Sequence, residues 1–174
     1  MSSTETLFVG IGSPHGDDVV GWKVADQLRG HVRARGAGSL DVRIEKAKSP
    51  IQTLDWINGI RRLVLCDGCR GMGRPGQTRR WEWPMAELDR ATWSGTHDFS
   101  LSASLQLAER LGRLPPLVVL WSMEITTGDA GDKVSRAVAE ALPRFVQRVQ
   151  AELLNQAARP TTRVTRAPTS RNGS

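Results

Sequence analysis

Three short apolar runs govern what this 174-residue chain can become: Leu7-Phe8-Val9, Leu63-Val64-Leu65-Cys66 and Leu117-Val118-Val119-Leu120-Trp121. Each is too short for an ordinary helix and apolar at successive positions, the pattern of a strand covered on both faces. Between them the hydrophobic spacing lengthens to that of helices. Val20, Val24 and Leu28 recur with Ala25 beside them, predicting a helix from about Asp18 to Gly30. "LDVRIEKA" alternates Leu40, Val42 and Ile44 with polar residues, as a second strand should. "PIQTLDWING" then opens on a proline suited to a first helical turn and closes on Gly59.

Later segments continue the alternation. "TRRWEWP" reads as an edge strand ended by Pro84, with Trp81 and Trp83 packing from one face. "THDFSLSASLQLAERLG" predicts a helix with Leu101, Leu105 and Ala108 on one face, Thr96 or Asp98 as N-cap and Gly112 as stop. Val134, Val138, Phe145 and Val149 mark a last helix, bent or stepped at Pro143. Buried strands alternating with helices predict a three-layer α/β/α sandwich around a central, mostly parallel sheet. One domain is expected over residues 1–154, followed by a solvated basic tail over 155–174.

The tail explains most of the charge. The formal net charge is +6, but Arg159, Arg163, Arg166 and Arg171 lie in the tail with no acid among them, and removing those four charges from +6 leaves +2. A nearly balanced folded part argues against a nucleic-acid partner. No run is long enough to span a bilayer, and "MSSTETLF" lacks the basic start and apolar stretch of a secretory signal, so a cytoplasmic protein without a membrane partner is expected. Cys66 and Cys69 stand in "LCDGC", followed by glycine-rich loop instead of the helix start that activates a redox thiol. Cys66 reads as a small core residue on the face opposite Leu65 and Asp67.

In a sheet of this kind, ligands bind beyond the carboxyl ends of the strands where successive crossovers leave on opposite faces. With strand one between strands two and three, that crevice is flanked by "GIGSPHGDDVVG" and by the end of "LVLCDG". Asp17 or Asp18, Asp67, and His97 of "GTHDF" are the groups that can converge there. Two carboxylates and an imidazole on rigid element ends suit a divalent first-row metal with open positions. A purely structural assignment fits the same spacing: Asp18 capping a helix, Asp67 closing a turn, His97 at a helix start. His15 reads as a solvated loop residue, and Asp17 as a support for Asp18 or a helix cap.

"LFVGIGSPHGDDVVGWKVADQL", "LVLCDGCRGMGRPGQTRRWEW", "GTHDFSLSASLQLAERLGRLPPLVVLWSMEI" and "VSRAVAEALPRFVQRVQAEL", taken in order, resemble the hydrogenase maturation proteases. These endopeptidases trim the C-terminal extension from the large-subunit precursor of nickel-iron hydrogenases. The resemblance spans about Thr6 to Leu154 and implies a phosphorylase/hydrolase-like sandwich, a precursor partner and a monomer. It also implies that Asp18, Asp67 and His97 read Ni2+ supplied by the precursor and carry catalysis. The chain departs from the family pattern in two places: Ser13 stands where Asn is usual after G-x-G, and Glu45-Lys46-Ala47-Lys48-Ser49 replaces the usual Asp-Gly-Gly-Thr run. The second change leaves two readings, a cutting endopeptidase and a non-cleaving chaperone that binds a metalloenzyme precursor. A peptidyl-tRNA hydrolase also opens with strand then G-x-G, but its T-R-H-N run is missing here.

Overall fold

The computed structural model describes residues 5–35, 41–90, 92–93, 100–126 and 132–157. Strands β1 (Thr6–Ile11), β2 (Val42–Ala47), β3 (Arg62–Arg70), β4 (Thr78–Glu82) and β6 (Leu117–Glu124) form the sheet in the order β2-β1-β3-β6-β4, and a short β5 (Thr92–Trp93) pairs with the end of β3. The ladders of β1 with β2, β1 with β3, and β3 with β6 are parallel, while β4 and β5 run antiparallel to their neighbours. The predicted placement of strand one between strands two and three is therefore observed.

The two faces are both covered, as the apolar runs require. Phe8, Val64, Cys66, Val119 and Trp121 face helices α1 (Val20–Ala34) and α3 (Arg136–Ala157) in one core. Leu7, Val9, Leu63, Leu65 and Leu120 build the opposite core with Leu101, Leu105 and Ala108 of α2 (Leu101–Arg110). Adjacent strand residues alternate between these cores because successive side chains leave a strand on opposite sides. Trp81 and Trp83 pack against the α2-side core, as the paired-tryptophan reading expected, and Trp81 Nε1 donates to Ser122 Oγ at 3.0 Å.

Several boundaries differ from the sequence reading. A 3-10 turn at Gly16–Val19 precedes α1, so Asp17 and Asp18 lie in a tight turn and the α-helix extends past Gly30 to Ala34. The segment after β2 is a 3-10 helix over Pro50–Asp55, started by a reciprocal Ser49 and Gln52 capping box. Ile57 and Ile60, which follow it, belong to the α2-side core, and Leu54 and Trp56 pack against that core. Ser100, not Thr96 or Asp98, caps α2: its Oγ accepts the Ala103 N–H at 3.1 Å, and burial begins at once with Leu101. Thr96 and Asp98 lie outside the described residues. α3 continues as one helix through Pro143 to Ala157, three residues beyond the expected domain end.

Candidate functional site

Glycines decide how closely the first helix can approach the sheet. A Cβ on Gly10 would lie 2.1 Å from the Gly21 carbonyl oxygen, and one on Gly21 would lie 2.1 Å from the Ile11 oxygen and 2.6 Å from the Cys66 oxygen. At Gly12 a Cβ would meet the Asp18 oxygen at 2.2 Å. The G-x-G loop and the glycine of G-D-D-x-x-G are thus one device, pressing the start of α1 backbone-to-backbone against the carboxyl ends of β1 and β3. This brings the acids of the 3-10 turn to the sheet edge. A Ser13 N–H bond to the Asp18 carbonyl, 3.1 Å long, closes the turn.

The two neighbouring acids have different work. Asp17 is buried and accepts four hydrogen bonds: from Thr126 N–H (3.0 Å) and Oγ1 (2.7 Å) beyond β6, and from Ser135 N–H (2.6 Å) and Oγ (2.9 Å) ahead of α3. Burial pushes its carboxyl up, yet the hydrogen bonds from Ser135 and Thr126 outweigh that and hold it below its ordinary range. Asp17 therefore ties the first loop to the segments flanking α3, and its oxygens are committed. The sequence reading had Asp17 supporting Asp18 or capping the helix; its partners are instead Thr126 and Ser135, over a hundred residues away.

Asp18 keeps a freer carboxylate. Its Oδ1 lies 3.4 Å from Nη2 of Arg70, and the side chain is 18% exposed. Arg70 in turn donates its Nε to the Thr126 carbonyl at 3.2 Å. Thr126 thus fastens Asp17 through its N–H and hydroxyl and Arg70 through its oxygen. Sequence reasoning placed Arg70 in a glycine-rich loop and overlooked it.

Asp67 does not end its strand, in contrast to the sequence reading. β3 runs on through Gly68 and Cys69 to Arg70 because β6 pairs with it as far as Cys69↔Glu124 and β5 as far as Arg70↔Thr92. The pairing of β1 with β3, however, stops at Gly10↔Cys66, so Asp67 is the first residue of β3 past the point where β1 turns away. It is fully buried there, opposite Ser122 of β6. Asp18 and Asp67 consequently share the carboxyl edge of the sheet, and Arg70, three residues after Asp67 at the end of β3, reaches Asp18. His97 lies outside the described residues.

Other candidates resolve into structure. His15 is exposed, with Nδ1 3.3 Å from Asp132. Cys66 and Cys69 are free and buried, and burial pushes both thiols up, Cys69 to about 12, which is the opposite of a redox thiol. Glu124, also missed in the sequence, accepts from the N–H groups of Gly71 (2.7 Å) and Met72 (3.1 Å) and so shapes the glycine-rich loop leaving β3. In the run that replaces Asp-Gly-Gly-Thr, Lys46 pairs with Asp26 at 3.0 Å and lies over the Trp22 ring, while Ser49 caps the following turn. Among the described residues, no three His, Cys, Asp or Glu side chains come together as a metal cage. No helix among them is long and apolar enough to cross a membrane.

No protein-family model and no curated protein matches this sequence. Solved structures do match it. The hydrogenase maturating endopeptidase HybD from E. coli superposes with a TM-score of 0.68 at 14% identity, covering 88% of this chain and 94% of that one. The [NiFe] hydrogenase maturation protease HycI from Thermococcus kodakarensis gives 0.63 at 21% identity over 87% and 93%. The maturation protease HybD from Thermococcus kodakarensis gives 0.63 at 15% identity over 86% and 99%. Over 86–88% of its length the chain has the α/β fold of the hydrogenase maturation proteases.

Proposed function

We propose that this chain is a processing endopeptidase of the hydrogenase-maturation type, which removes the C-terminal extension of a nickel-iron hydrogenase large-subunit precursor after nickel insertion. The observation that carries the reading is that fold together with two acids, Asp18 and Asp67, at the carboxyl edge where β1 and β3 part. The same reading has it working in the cytoplasm as a monomer.

Nickel belongs to the substrate in this scheme. Asp18 and Asp67 offer carboxylate oxygens and His97 an imidazole nitrogen, a donor set that binds nickel less tightly than thiolates or several imidazoles do. Two described acids make only part of a coordination sphere, which suits a metal that arrives with ligands of its own. Nickel so held supplies Lewis-acid polarisation to a neighbouring carbonyl. The chain's own residues contribute position. Asp17 fixes the turn that presents Asp18, β6 fixes the strand that presents Asp67, and the close glycine contacts leave that turn little room to drift.

A second reading, a chaperone that binds the precursor without cutting it, draws on the Glu45 to Ser49 run. There Lys46 is held by Asp26 and Ser49 by its cap, where glycines would leave the backbone free. Incubation with nickel-loaded and nickel-free precursor separates the two. Release of the extension from the loaded form alone supports the endopeptidase; nickel-dependent binding without cleavage supports the chaperone.

A further inference from the structure

We infer that Arg70 is a resident cation that holds Asp18 in place of metal until a loaded precursor displaces it, and so keeps the isolated protein from collecting free nickel. The inference rests on the reading of Asp18 as a nickel-facing carboxylate. Its geometric basis is independent of any metal: the guanidinium leaves the last residue of β3, three positions after Asp67, and crosses to the first loop to meet Asp18 Oδ1 at 3.4 Å. It does not reach there by chance of solvent. Its Nε is fastened to the Thr126 carbonyl, and Thr126 is itself held through N–H and hydroxyl by the buried Asp17.

The strength of the contact fits a placeholder. One long nitrogen–oxygen contact replaces the bidentate fork that makes arginine pairs strong, and Arg70 is a third exposed, so the pair is weak and exchangeable. The charge, by contrast, is permanent, because a guanidinium does not lose its proton in a protein. A free dication approaching Asp18 meets a positive group already seated there. A metal centre delivered by a docked precursor brings the binding surface of the whole partner, and that surface moves the guanidinium aside while its Nε stays near Thr126.

Nickel alone is the probe. Titrating Ni2+ into tag-free, full-length protein by calorimetry, Arg70→Gln and Arg70→Ala should each bind about tenfold tighter than the parent, the effect of removing one unit charge a few ångströms from a dication in a water-like dielectric. Adding Asp18→Asn to either variant should cancel the gain. Unchanged affinity in both single variants, or a gain that survives Asp18→Asn, overturns the inference. Because this readout needs no precursor, it fails separately from the proposed function: cleavage with no effect of Arg70 on nickel affinity removes the placeholder alone, whereas the affinity gain without cleavage leaves it standing and removes the endopeptidase.

Discussion

Replacing Asp17 tests the division of labour between the paired acids. Asp17→Ala deprives two backbone N–H groups and two hydroxyls of one charged acceptor in a buried site. Hydrogen bonds to a charged group contribute roughly 1.5–3 kcal/mol each, and water entering the vacated space restores part of that, so the net cost is about 4 kcal/mol. Asp17→Asn keeps an accepting oxygen for three of the donors but turns its NH2 toward the Ser135 N–H, and should cost about 2 kcal/mol on the same scale. For a domain of this size each kcal/mol moves the melting temperature by about 2–4 °C, so the alanine variant should melt about 8–16 °C lower. The effect also depends on pH. The folded-state pKa lies below the unfolded 3.8, so the stabilisation is fully present above about pH 4 to 5 and is lost as pH falls through the folded value. Melting followed by circular dichroism from pH 7 down to 3 should show the gap between parent and Asp17→Asn closing at the acid end. A gap under about 1 kcal/mol at pH 7, below the cost of even one such bond, would refute the four-bond account.

Three further substitutions probe the rest of the frame. Gly21→Ala forces a methyl into the Ile11 and Cys66 carbonyls and should lower stability by more than about 3 kcal/mol in urea unfolding, whereas Gly30→Ala, with open space around it, should be neutral or slightly stabilising. Glu152 accepts from Arg62 at 3.1 Å, from Arg80 at 2.9 Å and from Trp121 Nε1, so Glu152→Ala leaves the buried Arg62 without its acid and should cost about 3–5 kcal/mol by the same measurement. Cys66 and Cys69, buried and with raised pKa, should resist iodoacetamide at pH 8 in the folded protein and react only in denaturant; rapid native labelling would mean that this sheet edge opens.

The fold was legible where burial writes directly into sequence. Leu63-Val64-Leu65-Cys66 has to be covered on both faces, and it lies between β1 and β6 with a core on either side. Partners distant in sequence were not legible. Nothing local marks Gly68-Cys69-Arg70 as strand; β5 and β6 make it one by pairing on both sides. Asp17 could be read as a support because it neighbours a helix start, but Thr126 and Ser135 as its donors come only from tertiary structure. The same holds for Arg70. The available signal was an arginine three residues past Asp67, and a glycine-rich neighbourhood disguised it as surface. The position of Asp18 and Asp67 at the carboxyl edge was legible because it depends on strand order, and strand order was readable.

In the proposed function Asp18 and Asp67 serve the substrate, while Asp17 serves the fold. The most direct measurement is release of the C-terminal extension from nickel-loaded large-subunit precursor, followed by mass spectrometry, for Asp18→Asn and Asp67→Asn, beside the melting temperature of each variant. Both variants should fold and both should lose cleavage by at least about a hundredfold, the scale expected when a positioned charge at a reacting centre is removed. Cleavage at the parent rate by either folded variant would contradict that assignment.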